Sequence, residues 1–265
     1  MNRKDVLLRH LHKAFGEASV GLVLTVCLQP SLFAQSKGTK ASQPRVNVPF
    51  VGCKSDGQTG QLDAPKKNFK TVVISQQVSS RLAYYEAAQE EMGVLAPRGW
   101  YCFGVYGSGG NSLFVSPSPI NTGKIFNGIS FGGPAIVLSH HYGGTSGRLA
   151  VADMIARVFP AYRARIKNLL EEPYQKDLPV GPYPGDRLEY KSENKVEYRT
   201  PAQTQGLGTS SNLVKNNSPI DGVAILVGNY PDALLLSVRL PSAMTNLGRE
   251  IIRQVEHDAE DFPPN

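Results

Sequence analysis

Three cysteines occur in the chain, and two of them, Cys53 and Cys102, lie outside an N-terminal segment that has the form of an export leader. An even pair of cysteines in an exported protein is typical of a disulfide bridge. Such a bridge would close a loop of about 50 residues and stabilise the fold by ~4 kcal/mol, against a usual domain stability of ~5–15 kcal/mol. The alternative is a reactive thiol, although neither cysteine belongs to a Cys-X-X-Cys pair. We therefore expect a disulfide between Cys53 and Cys102.

The leader is residues 1–34, whose pattern is that of a secretory signal peptide. Four basic residues precede an apolar stretch over 20–29, and cleavage is expected after Ala34. The apolar stretch is about half of the ~20 residues that a membrane-spanning helix needs, which disfavours a membrane anchor. A lipoprotein attached through Cys27 is a second alternative, although Val26 stands where a lipobox has a small residue. We expect export to the periplasm or the extracellular space, with no stable membrane span after cleavage.

The composition is that of a globular protein, with 41% apolar and 19% charged residues. It excludes a disordered chain, a collagen-like chain and a small disulfide scaffold. The formal net charge is +6, and loss of the leader would lower it by two. Nucleic-acid binding would need basic residues gathered on one face with aromatic residues among them, and a modest excess spread along the chain does not indicate it. We expect no nucleic-acid partner.

The expected fold class is α+β: a mostly antiparallel sheet covered by helices, in a single mature domain over residues 45–260 with one disulfide. Residues 35–44 contain one apolar side chain and predict a disordered lead-in. Prolines and glycines concentrate in 173–186, which offers an alternative internal boundary. A single domain is favoured because the about 75 residues beyond that segment would form a thin core by themselves.

Apolar alternation and turn chemistry predict three hairpins and one buried strand. The hairpins join 100–106 with 112–115, 188–190 with 196–198, and 223–227 with 234–238, and the buried strand covers 135–138. The last hairpin is apolar almost throughout, so we place it in the middle of a sheet that is covered on both faces.

Three helices are also predicted. Good helix formers after a hydroxyl cap favour a helix over Arg81–Met92, and Ser242 caps a final helix that ends near Glu256. The strongest helical period covers Leu149–Leu169, with a kink or break expected at Pro160 because proline lacks an amide donor and crowds the preceding turn.

His140 and His141 follow the predicted buried strand, and either could act as a general base near neutral pH. Neighbouring strand residues point to opposite faces, so the two imidazoles cannot easily share one metal ion. No H-E-x-x-H, C-x-x-C or EF-hand spacing supplies further ligands, so we expect no metal site and no cofactor. The alternative for each residue is an ordinary histidine at the end of a strand.

The loop Gly143–Arg148 lies between these histidines and the long predicted helix. It combines free backbone donors, the hydroxyls of Thr145 and Ser146, the guanidinium of Arg148 and the positive end of a helix, so it could bind an anion. It lacks the glycine spacing of a P-loop, and Ser146 does not lie in a G-x-S-x-G elbow. The alternative is a tight turn in which Thr145 or Ser146 caps the helix.

A polar run after Cys53 contains two further candidates for ligand binding, Ser55 and Asp56. The carboxylate of Asp56 could also belong to a catalytic triad. Ordinary turn chemistry explains the same residues equally well.

Several stretches carry a family resemblance: Val48-Pro49-Phe50-Val51-Gly52-Cys53, Ser55-Asp56-Gly57-Gln58, Leu95-Ala96-Pro97-Arg98-Gly99-Trp100 with Cys102-Phe103-Gly104, and Thr145-Ser146-Gly147-Arg148. Together they resemble an exported bacterial protein family of uncharacterised function, over most of the mature chain. The resemblance implies export and paired cysteines. It implies no reaction and no catalytic residues.

The favoured function is a binding or interaction module of the bacterial envelope or exterior. Its ligand would be a small anionic or polar molecule bound by the loops around Ser55 and Asp56, Gly143–Arg148 and Gly206–Ser211. The hypothesis rests on glycine- and hydroxyl-rich loops without a recognisable catalytic set.

The alternative function is an exported hydrolase. His140 or His141 would be the base, with Ser146 as nucleophile or Arg148 as the group that stabilises the oxyanion, and Asp56 or Asp153 would orient the histidine. All these groups except Asp56 lie within a short stretch of the chain.

Overall fold

The structure is a computed structural model that describes residues 44–88, 92–123, 128–228 and 230–262. The signal peptide predicted over 1–34 lies outside the described residues. So does the predicted lead-in over 35–44, except for Pro44.

The described residues form twelve strands and five α-helices. The strands are β1 (Arg45–Cys53), β2 (Ser55–Gly57), β3 (Phe69–Val73), β4 (Leu82–Ala87), β5 (Val94–Pro97), β6 (Tyr101–Gly107), β7 (Gly110–Ser116), β8 (Ala135–His141), β9 (Arg187–Ser192), β10 (Lys195–Thr200), β11 (Ile220–Val227) and β12 (Asp232–Arg239). The α-helices are α1 (Gln76–Ser79), α2 (Arg148–Val158), α3 (Ile166–Leu169), α4 (Glu172–Gln175) and α5 (Gly248–Glu260). Short 3₁₀ helices cover Pro160–Arg165, Leu207–Thr209 and Ser242–Leu247.

The strands form two sheets, one of four strands in the order β3-β1-β4-β5 and one of eight in the order β2-β6-β7-β8-β12-β11-β10-β9. Each sheet contains one parallel pair, β1 with β4 and β2 with β6, and the other pairs are antiparallel. The α+β prediction is therefore confirmed, but the sheets are mixed rather than purely antiparallel. Parallel strands need a crossover connection, and both pairs have one, with β2 and β3 between β1 and β4 and with β3 to β5 between β2 and β6.

The main hydrophobic core lies where the four-stranded sheet, α5 and one face of the eight-stranded sheet meet. Tyr84 and Leu95 of the smaller sheet, Leu138 and Leu236 of the larger sheet and Ile251 of α5 are all buried there. Helix α2 packs on the other face of β8 and β12. Helix cover of the large sheet is partial, because five of the six residues of the edge strand β9 are exposed.

The predicted disulfide is confirmed. The bridge joins Cys53 at the end of β1 to Cys102 in β6, and the two Cα atoms lie 5.4 Å apart. The backbone N–H of Gly104 also donates to the carbonyl of Lys54, at 2.9 Å. The bridge therefore ties the four-stranded sheet to the eight-stranded sheet.

The helix predicted over Arg81–Met92 is wrong, because residues Leu82–Ala87 form strand β4. Four consecutive side chains, from Leu82 to Tyr85, are almost completely buried. Consecutive side chains of a strand point to opposite faces, so β4 is covered on both faces, and this burial overrides the helix propensity of its residues.

The break predicted at Pro160 is confirmed, because α2 ends at Val158 and a 3₁₀ helix follows. Proline removes a donor for the carbonyl of Ala156. That carbonyl instead accepts from the N–H of Gly181 at 3.0 Å and from Arg163 Nη2 at 3.3 Å. The proline-rich segment 173–186 is thus attached to the end of α2, and the residues on both sides of it belong to one compact unit.

All three predicted hairpins are present, as is the buried strand. In the hairpin of β9 and β10, Tyr190 pairs with Val196 and Leu188 with Tyr198, with a register shift beside the turn. β11 and β12 lie in the interior of the large sheet, as their apolar pattern predicts. The final helix begins as a 3₁₀ helix at Ser242 and continues as α5 to Glu260, beyond the predicted end near Glu256. The cap predicted at Ser242 is wrong, because Pro241 is the N-cap residue and no side chain caps the helix.

Candidate functional site

The sheet topology decides which of the predicted loops can meet. The loop Gly143–Arg148 follows the end of β8, next to the start of β12 and the start of β7. The loop Gly206–Ser211 lies between the end of β10 and the start of β11, at the opposite end of the strands. Strands of this length separate their ends by ~20 Å. The two loops therefore do not share a cleft.

The loops after β2 and β6 do meet the Gly143–Arg148 loop. Gln58 Nε2 donates to Ser108 Oγ at 3.4 Å, and Ser108 Oγ lies 2.9 Å from Ser146 Oγ. The N–H of Tyr142 donates to the carbonyl of Gly109 at 3.2 Å. Ser146 is exposed, and its hydroxyl is hydrogen-bonded to another serine rather than to a histidine.

Thr145 closes the turn before α2. Its hydroxyl donates to the carbonyl of Tyr142 at 3.2 Å and accepts from the N–H of Gly147 at 3.4 Å. The N-cap residue of α2 is Gly147, and it makes no side-chain capping bond. Arg148, the first residue of α2, is exposed.

A buried polar cluster lies directly beneath this loop. His140 is 3% exposed and Asp232 is 5% exposed, and His140 Nε2 lies 3.3 Å from Asp232 Oδ2. Asp232 Oδ1 accepts from the N–H of Gly143 at 2.7 Å. Asn111 Nδ2 donates to the hydroxyl of Tyr142 at 3.0 Å, and the Tyr142 ring meets the His140 ring edge to face. The cluster therefore holds the start of the loop against β8 and β12.

Sequence reasoning did not identify Asp232, Asn111 or Tyr142 as parts of this cluster. Asp232 follows a Tyr-Pro pair, and its type there indicates only a turn. Its pairing with His140 depends on β8 and β12 being neighbours, because Leu234 lies opposite His140. No local pattern could have found that relationship.

His141 lies on the opposite face of β8, as strand geometry requires. Burial lowers the pKa of His141, and the nearby imidazole of His140 lowers it further. On the same face of the sheet, the hydroxyls of Ser112 and Ser139 lie 2.9 Å apart. The lowered pKa keeps His141 neutral at physiological pH.

The remaining predicted site residues have local roles. Asp153 accepts from Arg157 Nε at 3.0 Å along α2. Asp56 Oδ1 accepts from the N–H of Gly57 at 2.8 Å. Ser55 is buried, and among the described residues its hydroxyl has no hydrogen-bond partner. None of these contacts joins Asp153, Asp56 or Ser55 to a histidine.

One cleft opens beside the Gly143–Arg148 loop, with a volume of about 380 Å³; we call it the Arg148 cleft. It is lined by Gly143, Gly144, Arg148, Lys167, Asn168, Leu169, Leu170, Glu171 and Tyr230. The hydroxyl of Tyr230 donates to the carbonyl of Asn168 at 3.2 Å, and its side chain stays half exposed. Of the predicted ligand-binding residues, Arg148 is the one that lines this cleft.

Two cations face the cleft, Arg148 and Lys167. In the part of the chain that the structure describes, neither takes part in an ion pair. Glu171 adds one negative charge to the lining. The first turn of α2 contains no acidic side chain, so the positive end of the helix dipole is not neutralised locally.

Fold and site together define a disulfide-bridged α+β protein with a small, positively lined cleft. The chain matches no family model, no curated protein and no solved structure. Within the described ranges, no helix is long and apolar enough to span a bilayer. No group of three or more metal-ligating side chains occurs among the same residues.

Proposed function

We propose that the protein is an exported binding module and that the Arg148 cleft holds a small anionic ligand. The observation that carries the proposal is the pair of cations, Arg148 and Lys167, which line one cleft and form no ion pair among the described residues. An anion bound between them would accept charge-assisted hydrogen bonds from both side chains, in place of its hydrogen bonds to water. The adjacent start of α2 adds a favourable dipole.

The glycines of the loop shape the cleft for a ligand. A Cβ atom on Gly143 would lie 2.2 Å from the carbonyl oxygen of Pro231, so the backbone there passes too closely for any other residue. A Cβ atom on Gly144 would meet nothing within 4 Å, so this side of the loop is open. The backbone of Gly144 can therefore be approached by a ligand without a side chain in the way.

The cleft also fits the expected size and polarity of a ligand. Its volume of about 380 Å³ falls within the ~300–1,000 Å³ of small-molecule sites. The half-exposed ring of Tyr230 offers an apolar surface beside the charges. Glu171 disfavours a ligand with many negative charges and suits one that carries an anionic group together with a hydrogen-bond donor.

Export is part of the same proposal. The Cys53–Cys102 bridge supports it, because disulfides persist in oxidising compartments. The signal-peptide pattern of residues 1–34 and the resemblance to an exported bacterial family point the same way. The ligand is then expected in the periplasm or the extracellular medium.

Isothermal titration calorimetry tests the binding proposal. The probes are inorganic phosphate and a hexose phosphate, added to the mature protein at low ionic strength. Binding of at least one probe is expected, with about tenfold or greater loss of affinity in Arg148→Gln and in Lys167→Gln. Lys215→Gln is the matched control, because Lys215 is an exposed cation outside the cleft. Equal affinity in all three variants, or no binding of any probe, contradicts the proposal.

The second candidate function is a hydrolase, and one observation favours it: His140 lies against a buried carboxylate, at 3.3 Å from Asp232. Such a pair orients an imidazole in many catalytic sites. Two observations weigh against a hydrolase. His140 is almost completely buried, and the hydroxyl of Ser146 is hydrogen-bonded to Ser108 rather than to a histidine. Activity screens with esters, peptides and glycosides test this function on wild type and on Ser146→Ala, His140→Ala and His141→Ala. A hydrolase that uses Ser146 as nucleophile loses turnover in the serine variant.

A further inference from the structure

We propose that the free edge of β9 is a self-association surface through which two copies of this chain join their eight-stranded sheets. β9 ends the sheet, and among the described strands it pairs with β10 alone. Its outer edge therefore presents backbone N–H and C=O groups that a further strand can bind. This inference goes beyond the ligand proposed for the Arg148 cleft.

The edge lacks two of the features that usually block such pairing, a proline and a bulge in the body of the strand. β9 is six residues long and contains no proline. The register shift of the hairpin lies beside the turn, between Lys195 and Val196, rather than in the body of β9. Charged side chains, lysine above all, commonly protect edges, and β9 carries three of them, Arg187, Glu189 and Lys191. The ammonium of Lys191 is neutralised by Glu189 at 2.5 Å and by Glu197 at 3.0 Å.

The charges along β9 select a second copy as the partner. Arg187, Glu189 and Lys191 alternate in sign on one face of the strand. In an antiparallel pair centred on Tyr190, Glu189 of each copy lies opposite Lys191 of the other copy. Opposite charges that face each other across two strands stabilise the pair. One register therefore gives two complementary ion pairs by symmetry.

The neighbouring register is disfavoured by the same charges. A pair centred on Glu189 would place the two Glu189 carboxylates opposite each other and Arg187 opposite Lys191. Like charges in these positions destabilise an antiparallel pair. The charge pattern therefore specifies the alignment as well as the partner.

The apolar face of β9 fits the same alignment. Tyr190 is 50% exposed, and Leu188 beside it is partly exposed. Centring on Tyr190 brings the two tyrosine side chains together across the axis, where each covers part of the other. Only about five residues of each copy would pair, which is a small interface by the standard of stable complexes, so the dimer should dissociate on dilution.

Sedimentation velocity over a range from low micromolar to near-millimolar protein tests the proposal. Wild type is expected to shift reversibly from monomer to dimer as concentration rises. Glu189→Lys and Lys191→Glu each place like charges opposite each other, and each should weaken association about tenfold or more. The double variant Glu189→Lys/Lys191→Glu restores opposite charges and should recover it.

Lys215→Glu is the matched control, because it reverses an exposed charge that does not belong to β9 and should leave association unchanged. Far-UV circular dichroism of each variant establishes that loss of the dimer is not loss of the fold. A monomer at every concentration overturns the proposal. A dimer that the single reversals do not weaken, or that the double variant does not restore, overturns it as well.

Discussion

Asp232 Oδ2 lies 3.3 Å from His140 Nε2, and both residues are almost completely buried. The other carboxylate oxygen of Asp232 accepts the N–H of Gly143. One side chain thus connects the end of β8 with the loop that forms a wall of the Arg148 cleft. The geometry of the cleft depends on this buried contact as well as on the residues that line it.

Asp232→Ala is expected to lower the free energy of unfolding by about 3 kcal/mol, because it leaves buried polar partners without their acceptor. Urea denaturation measures the loss. Asp153→Ala is the matched control, since it removes a partly exposed carboxylate from an ion pair with Arg157 and should cost less than about 1 kcal/mol. Similar costs for the two variants would show that the Asp232 contact does not support the fold.

The disulfide should contribute a large share of the resistance of the fold to denaturant. Cys102→Ala opens a loop whose ends are 49 residues apart, and the expected loss is about 4 kcal/mol in the chain-entropy account. Dithiothreitol should have the same effect on wild type and none on the variant. A midpoint that does not respond to reductant would contradict the structural role of the bridge.

Stability should fall as pH decreases from neutral because of His141. Burial, helped by the neighbouring His140, holds the pKa of His141 below its usual value near 6.5. Between the folded and the unfolded pKa the unfolded chain therefore binds more protons, and acid favours unfolding. Urea titrations at pH 7.5 and pH 5.5 measure the loss in the free energy of unfolding. This loss should be smaller in His141→Asn than in wild type.

The comparison with His141→Asn is needed because two carboxyl groups act in the opposite direction. Burial raises the pKa of Glu256 and that of Asp258, so protonation of these groups favours the folded state. Both remain in the variant and cancel in the difference. If wild type and variant lose equal stability between the two pH values, the effect assigned to His141 is absent.

Arg239 should be a structural cation. It is 1% exposed and donates to the carbonyls of Phe131, Gly133 and Val214, with no carboxylate partner among the described residues. Arg239→Met leaves these carbonyls without a donor and should cost about 2–3 kcal/mol in urea denaturation. Arg199→Met, which removes an exposed ion pair with Asp221, should cost under about 1 kcal/mol. A smaller loss for Arg239→Met than for Arg199→Met would contradict this role.

Local patterns predicted the elements whose signals are local. The hairpins depend on turn residues and alternation, and the break at Pro160 depends on one missing amide. The helix predicted at Arg81–Met92 failed because β4 is buried on both faces, so its burial pattern has no period of two to detect. The burial of β4, which pairs with β1 and β5, depends on the tertiary fold, so a local sequence pattern cannot reveal it.

The candidate site was predictable only where its residues carry a local signal in the sequence. The Gly143–Arg148 loop is conspicuous in sequence, and Arg148 was named from it. Lys167 and Tyr230 reach the cleft from distant segments, and their own surroundings in sequence show nothing unusual. Only the fold brings them to Arg148.

Binding at the Arg148 cleft is tested most directly by titrating ¹⁵N-labelled protein with a hexose phosphate and with phosphate and following the backbone amides by NMR. Saturable shifts are predicted at Gly143, Gly144, Arg148 and the residues around Lys167, and in Arg148→Gln they should require about tenfold or more ligand to saturate. An absence of saturable shifts, or saturable shifts confined to another surface, would contradict the account.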